Sequence, residues 1–138
     1  MENKIYKDLI KLCKKCLNSG DVPAAAIIVK NDEIISKGIN KRVKSNKSID
    51  HAEISAILKA NKKLKSYFLY DCDLYVTLKP CEMCEKVINS ARIRRVYYLV
   101  DKPITKKEYS KVEYIKIEND EGIEYQKIMS DFFNNLRN

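Results

Sequence analysis

Tryptophan is absent from this chain, histidine occurs once, and glycine and proline occur three times each in 138 residues. So few glycines and prolines leave little turn punctuation, and the spacing of apolar residues has to carry the reading of the elements. Long apolar runs are missing too: none approaches the roughly 20 residues of a membrane-spanning helix. The opening segment, Met1-Glu2-Asn3-Lys4-Ile5-Tyr6-Lys7, is charged and lacks the apolar stretch of a signal peptide, so the expected setting is the cytoplasm. Internal repeats, low-complexity tracts and long linkers are also absent. A chain of 138 residues is long enough for one domain with a real hydrophobic core and too short for two, so one domain over 1–138 is expected.

What is present is ordinary for a globular protein, with 45% apolar and 33% charged residues. Five cysteines (13, 16, 72, 81 and 84), an odd number in a cytoplasmic chain, point to metal binding or buried thiols rather than disulfides. The formal charge of +8 suits a polyanionic partner such as RNA, and a Lys-, Asn- and Ile-rich composition accounts for it equally well.

Residues 3–18 place Ile5, Leu9, Leu12, Cys13, Cys16 and Leu17 at helical spacing. Val22 to Val29 reads as a buried strand, Asn31-Asp32 as a turn, and Glu33 to Ile39 as the returning hairpin strand. A second helix covers roughly 51–63, with Ile54, Ile57, Leu58 and Leu64 inward. Leu74 to Leu78 is a strand, a third helix starts near Cys81, and Val96–Val100 and Val112–Ile117 are two more strands. The last helix aligns Tyr125, Ile128, Met129, Phe132, Phe133 and Leu136. The order α-β-β-α-β-α-β-β-α predicts an α/β fold, a three-layer α/β/α sandwich around a mixed sheet of about five strands.

Two segments carry chemistry: His51-Ala52-Glu53 and Pro80-Cys81-Glu82-Met83-Cys84, each at the predicted start of a helix. Cysteines three apart in a first helical turn project to the same side, and the positive end of the helix dipole favours their thiolates. Two thiolates and one histidine leave a fourth tetrahedral position for water, the open arrangement of a catalytic zinc. His51 is the only histidine, so no other Cys/His site competes. Zinc brings the pKa of a bound water to about 7. Glu53, about 200° around a helix from His51, is then placed to move that water's proton rather than to ligate. Glu53 with Asp50 also has the spacing of a capping box, and a CxxC alone also suits redox chemistry. The combination His-x-Glu…Pro-Cys-x-x-Cys favours zinc and is the signature of zinc deaminases. Cys13 and Cys16 lie on the apolar stripe of the first helix and read as core thiols, as does Cys72. The lysines of 59–65 and the Arg92-Ile93-Arg94-Arg95 cluster are either an RNA surface or a solvated face.

With these motifs in place the chain resembles the bacterial tRNA-specific adenosine deaminases of the cytidine-deaminase superfamily. The resemblance runs through Asp21-Val22-Pro23-Ala24-Ala25-Ala26-Ile27-Ile28-Val29, with Ala25 where a Gly is usual, and Gly38-Ile39-Asn40. It continues in Leu74-Tyr75-Val76-Thr77-Leu78-Lys79-Pro80-Cys81, with Lys79 in place of Glu, in Ala91 to Val96, and in the closing Ser130-Asp131-Phe132-Phe133. It implies a cytidine-deaminase-like fold, Zn2+ as cofactor, and a homodimer that binds the anticodon arm of tRNA. The wobble adenosine would be attacked at C6 by zinc-bound hydroxide, with Glu53 as proton shuttle and ammonia released. It further implies that Asn40 contacts the nucleoside, Val22 lines the pocket and the Ala52 backbone meets the base edge. The chain departs from the family after Val96, where Tyr97-Tyr98-Leu99-Val100-Asp101-Lys102-Pro103-Ile104-Thr105 lacks the usual glycines of a substrate-side loop. That departure leaves room for a deaminase of a free base or nucleoside, guanine or cytosine, on the same scaffold. A non-catalytic RNA-binding relative is disfavoured by retention of all three ligands and Glu53.

Overall fold

A computed structural model describes residues 2–101 and 112–137. Helix α1 (Glu2–Lys15) buries Ile5, Tyr6, Leu9, Ile10 and Cys13 and tightens into a 3-10 turn, Cys16–Ser19. Gly20 ends that turn at φ 76°, a left-handed conformation that glycine adopts without steric cost. Strands β1 (Ala25–Lys30) and β2 (Glu33–Ile39) form a hairpin. Its two connecting residues, Asn31 and Asp32, both have positive φ (51° and 59°), the twist-matched form of a two-residue turn. The short helix α2 (Arg42–Ser45) and helix α3 (Ala52–Leu64) follow, then β3 (Cys72–Leu78), α4 (Glu82–Ala91), β4 (Arg95–Val100), β5 (Glu113–Lys116) and α5 (Asp120–Arg137).

The strands form one sheet in the order β2-β1-β3-β4-β5. The pairs β1–β2 and β1–β3 are antiparallel, and β3–β4 and β4–β5 are parallel. Side chains alternate across it as pleating requires. Ala26, Ile28, Leu74, Val76, Val96 and Tyr98 face α3 and α4; Ala25, Ile27, Val29, Tyr75 and Leu99 face α1 and α5. The expected three-layer α/β/α sandwich with a five-stranded mixed sheet is the observed architecture. Among the described residues no helix is long and apolar enough to cross a membrane.

Several expectations are corrected. The first strand begins at Ala25 rather than Val22, because residues 22–24 bond to side chains and loops instead of a ladder. The four-residue α2 was not expected at all. Leu58 on α3 is 63% exposed, and Phe133 and Leu136 on α5 are 44% and 65% exposed, so these positions face outward. Cys13, Cys16 and Cys72 are buried free thiols, as expected. Of the departing segment Tyr97 to Thr105, residues 102–105 lie outside the described residues.

Candidate metal centre and active-site cavity

The pairing of β1 against β3 brings the start of one strand beside the end of the other, with Ala26 opposite Val76. Two helices begin at that same end of the sheet. His51 precedes α3 in extended conformation (φ −80°, ψ 156°), and its carbonyl accepts from the Ser55 amide at 3.1 Å. Cys81 precedes α4 in the same way (φ −71°, ψ 170°), and its carbonyl accepts from the Glu85 amide at 2.9 Å. Neither helix has a side-chain cap, so both positive N-terminal ends are directed at the site. His51 is therefore outside α3, and the estimate of an angle around the helix does not apply to it. The Asp50–Glu53 capping box does not form either, because His51 and not Asp50 occupies the cap position.

The sequence-designated ligands come together. Cys84 Sγ lies 3.5 Å and Cys81 Sγ 3.9 Å from His51 Nδ1. The donor atoms of the three residues all lie within 4.8 Å of one another, the one such group found among the described residues. A tetrahedral zinc with Zn–S of about 2.3 Å and Zn–N of about 2.0–2.1 Å separates nitrogen from sulfur by roughly 3.6 Å, so one soft imidazole-and-thiolate donor set fits the ion. Cys84 beside it and the α4 amides hold the Cys81 thiol well below its usual range, the direction a thiolate ligand needs. Cys84 is pushed up by the reciprocal hydrogen bond and by burial, as expected of two sulfurs sharing one site. Cys13 and Cys16 are not part of the group.

Glu53 is 7% exposed and sits against both cysteines. Burial pushes its carboxyl up to about 7, with its own backbone amide pulling the other way. A carboxyl in that range can both take and give a proton near neutrality.

His51, Ala52, Glu53 and Cys81 line a cavity of about 210 Å³. Its remaining wall comes from Val22, Ala24, Ala25, Asn40, Arg42, Thr77, Leu78 and Lys79. The structure thus places Val22, Asn40 and Ala52 around the zinc ligands. Asn40 Nδ2 donates to the Val22 carbonyl at 3.1 Å, so this side chain braces the wall it belongs to. Arg42 and Thr77 were not singled out from sequence; their signals were position alone, two residues after Asn40 and three before Pro80. A second cavity, about 400 Å³, shares Val22, Asn40 and Arg42 with the first and adds Lys47, Phe132 and Phe133. A larger hollow of about 610 Å³ near Asp101, Lys116 and Asp120 contains none of the motif residues.

Part of the arginine cluster is engaged by neighbours. Arg94 pairs with Asp73 at 3.0 Å, Arg95 reaches the same carboxylate at 4.0 Å, and Arg92 lies 5.5 Å from the Phe68 ring.

A cavity with a His/Cys/Cys donor set at two helix N-termini and a buried glutamate beside it is the site of a zinc-dependent deaminase. The model of the cytidine and deoxycytidylate deaminase zinc-binding region matches residues 1–100. A tRNA-specific adenosine deaminase from Buchnera aphidicola is 38% identical over 86% of this chain and 85% of its own length. A structure solved in work on A-to-I editing by tRNA:A34 deaminases at the wobble position superposes with a TM-score of 0.75. It is 28% identical and covers 85% of this chain and 100% of that one. A guanine deaminase structure from Bacillus subtilis, also 28% identical, superposes with a TM-score of 0.68 over 95% of this chain and 94% of that one. The chain belongs to the cytidine and deoxycytidylate deaminase family and, within it, to the tRNA-specific adenosine deaminases.

Proposed function

We propose that this enzyme converts adenosine to inosine at the wobble position of a tRNA anticodon. The observation that carries the reading is the second cavity, which opens beside the zinc cleft and shares three residues with it. The exposed Phe133 offers a stacking face and Arg42 and Lys47 offer cations, the combination that receives bases flanking an extruded nucleotide. A free base would use the zinc cleft alone. The names of the relatives support the same substrate.

His51, Cys81 and Cys84 would hold the zinc, which when bound supplies an acidified water and electrostatic stabilisation of developing negative charge. Val22, Asn40 and the Ala52 backbone would orient the base with C6 toward the cleft. Glu53 takes a proton from the attacking water and delivers it to the departing amine. A C–O bond forms at C6, the C6–N bond breaks, and adenosine plus water becomes inosine plus ammonia. The chain is expected to act as one deaminase unit, in the cytoplasm, where its free thiols persist. It is also expected to act as a homodimer, with exposed apolar side chains such as Leu58, Tyr67, Tyr70 and Met83 available for burial against a second copy.

The likeness to guanine deaminase favours the other reading, a free purine as substrate. The two separate in one assay. Ammonia should be released from an anticodon stem-loop carrying adenosine at the wobble position, with inosine appearing there, and not from free guanine. Efficient turnover of guanine with an untouched stem-loop would reverse the assignment.

A further inference from the structure

Val22, Ala24 and Ala25 form one wall of the zinc cavity, yet residues 22–24 lie outside β1. Backbone groups that leave a ladder need other partners when they are buried. Here the partners come from three distant elements. Asn40 Nδ2 donates to the Val22 carbonyl at 3.1 Å and the Asn40 amide to the Ala24 carbonyl at 3.0 Å. The Ala25 amide donates to Thr77 Oγ1 at 3.1 Å. The Tyr125 hydroxyl, from the first turns of α5, donates to the Pro23 carbonyl at 2.7 Å across 102 residues of sequence.

Tyr125 is fully buried. A phenylalanine would fill the same space, so packing alone does not account for the hydroxyl. The bond it makes is to a segment of the cavity wall that no ladder holds. Phe132, about two turns further along the same helix, lines the neighbouring cavity.

We propose that Tyr125 is a positioning residue for substrate binding: its hydroxyl holds the Pro23 carbonyl, and with it the Val22–Ala25 wall, making α5 part of the nucleoside site. This rests on the reading of the cavity as the nucleoside site. Tyr125 touches no reacting atom, so the wall it sets meets ground state and transition state alike. Such an interaction shows in KM and leaves kcat nearly unchanged.

The test uses the zinc-loaded enzyme and compares Tyr125→Phe, Thr77→Val and the control Tyr6→Phe on the stem-loop, with zinc content and Tm measured beside the kinetics. Tyr125→Phe removes the bond to Pro23, and Thr77→Val removes both the acceptor of the Ala25 amide and the Thr77 partner of Tyr125; each should raise KM about tenfold, with kcat within about twofold and zinc retained. Tyr6→Phe, which removes a buried hydroxyl away from the cavity, should stay near wild type. A merely structural Tyr125 would lower Tm and apparent kcat while leaving KM unchanged, and that result overturns the proposal. If Tyr125→Phe does not fold, Thr77→Val, which takes away a partner of Tyr125, decides by the same KM criterion. Should the wild-type enzyme ignore the stem-loop, the functional reading fails, and the KM comparison on whichever free base is turned over still decides the role of the wall.

Discussion

Glu53 is where the chemistry and the bland alternative part most cleanly. With its capping role excluded by the structure, a merely structural Glu53 would carry stability alone; as a proton shuttle it carries about 10²–10⁴-fold in rate. Glu53→Gln should keep zinc and fold and lose that factor in kcat, measured by ammonia release at saturating substrate. A variant that melts earlier yet turns over normally would contradict the role. Cys84→Ser should lose metal, activity and some thermal stability together, because one ion ties two helix ends; metal analysis and melting read both. Asp21 makes a different kind of contribution. It is buried, accepts from the Ser19 hydroxyl, and accepts from the Val43 and Lys44 amides, thereby fastening the start of α2. Burial pushes its carboxyl up, but those donors outweigh it and hold it below the usual range. A depressed carboxyl stabilises the fold above its unfolded pKa of about 3.9, and the contribution is lost as pH falls through the folded value. Asp21→Asn should therefore cost about 1–2 kcal/mol at pH 7 and progressively less as pH falls below the unfolded value, as read from urea melts across a pH series.

At the scale of elements, the ligands are held by the way β2 seats α3. A Cβ on Gly38 would lie 2.3 Å from the Ala52 carbonyl oxygen and 2.8 Å from the Ala56 amide, backbone atoms that cannot step aside alone. Ser36 Oγ donates to the Ala56 carbonyl at 2.7 Å one turn along. Gly38→Ala should push α3 outward, lower stability by about 1–3 kcal/mol and reduce zinc occupancy, since His51 and Glu53 move with the helix. Unchanged melting and full zinc would show that the contact can relax. The helices and strands that bear the motifs were legible because their apolar spacing is regular and each motif opens a helix. The short α2 was not, because four residues show no helical period; it exists because Asp21, far back in sequence, caps it. The outward Leu58, Phe133 and Leu136 sit at helical spacing like core residues, and only the packed structure shows which side of the stripe is covered. Asn40, Val22 and Ala52 were found through resemblance, whereas Tyr125 carried no local signal: its partner is 102 residues away.

For the molecule as a whole, the formal charge of +8 is real but unevenly available. Arg94 and Arg95 are engaged by Asp73, while Arg42 and Lys47 line the cavity beside the zinc cleft. Arg94→Ala should accordingly leave the salt dependence of activity unchanged, and Arg42→Gln should flatten it by about 0.7 in log–log slope, the share of one phosphate on a single strand. As a homodimer the protein should show a sedimentation mass twice that of the 16.1 kDa chain, and a monomer mass would contradict that expectation. The most direct measurement is kcat/KM for ammonia release from a wobble-adenosine stem-loop across a salt series, run beside free adenosine, guanine and cytidine. Efficient stem-loop turnover that falls steeply with salt, with negligible activity on the three free compounds, is the predicted result. Salt-independent turnover of a free base with no inosine in the stem-loop would contradict it.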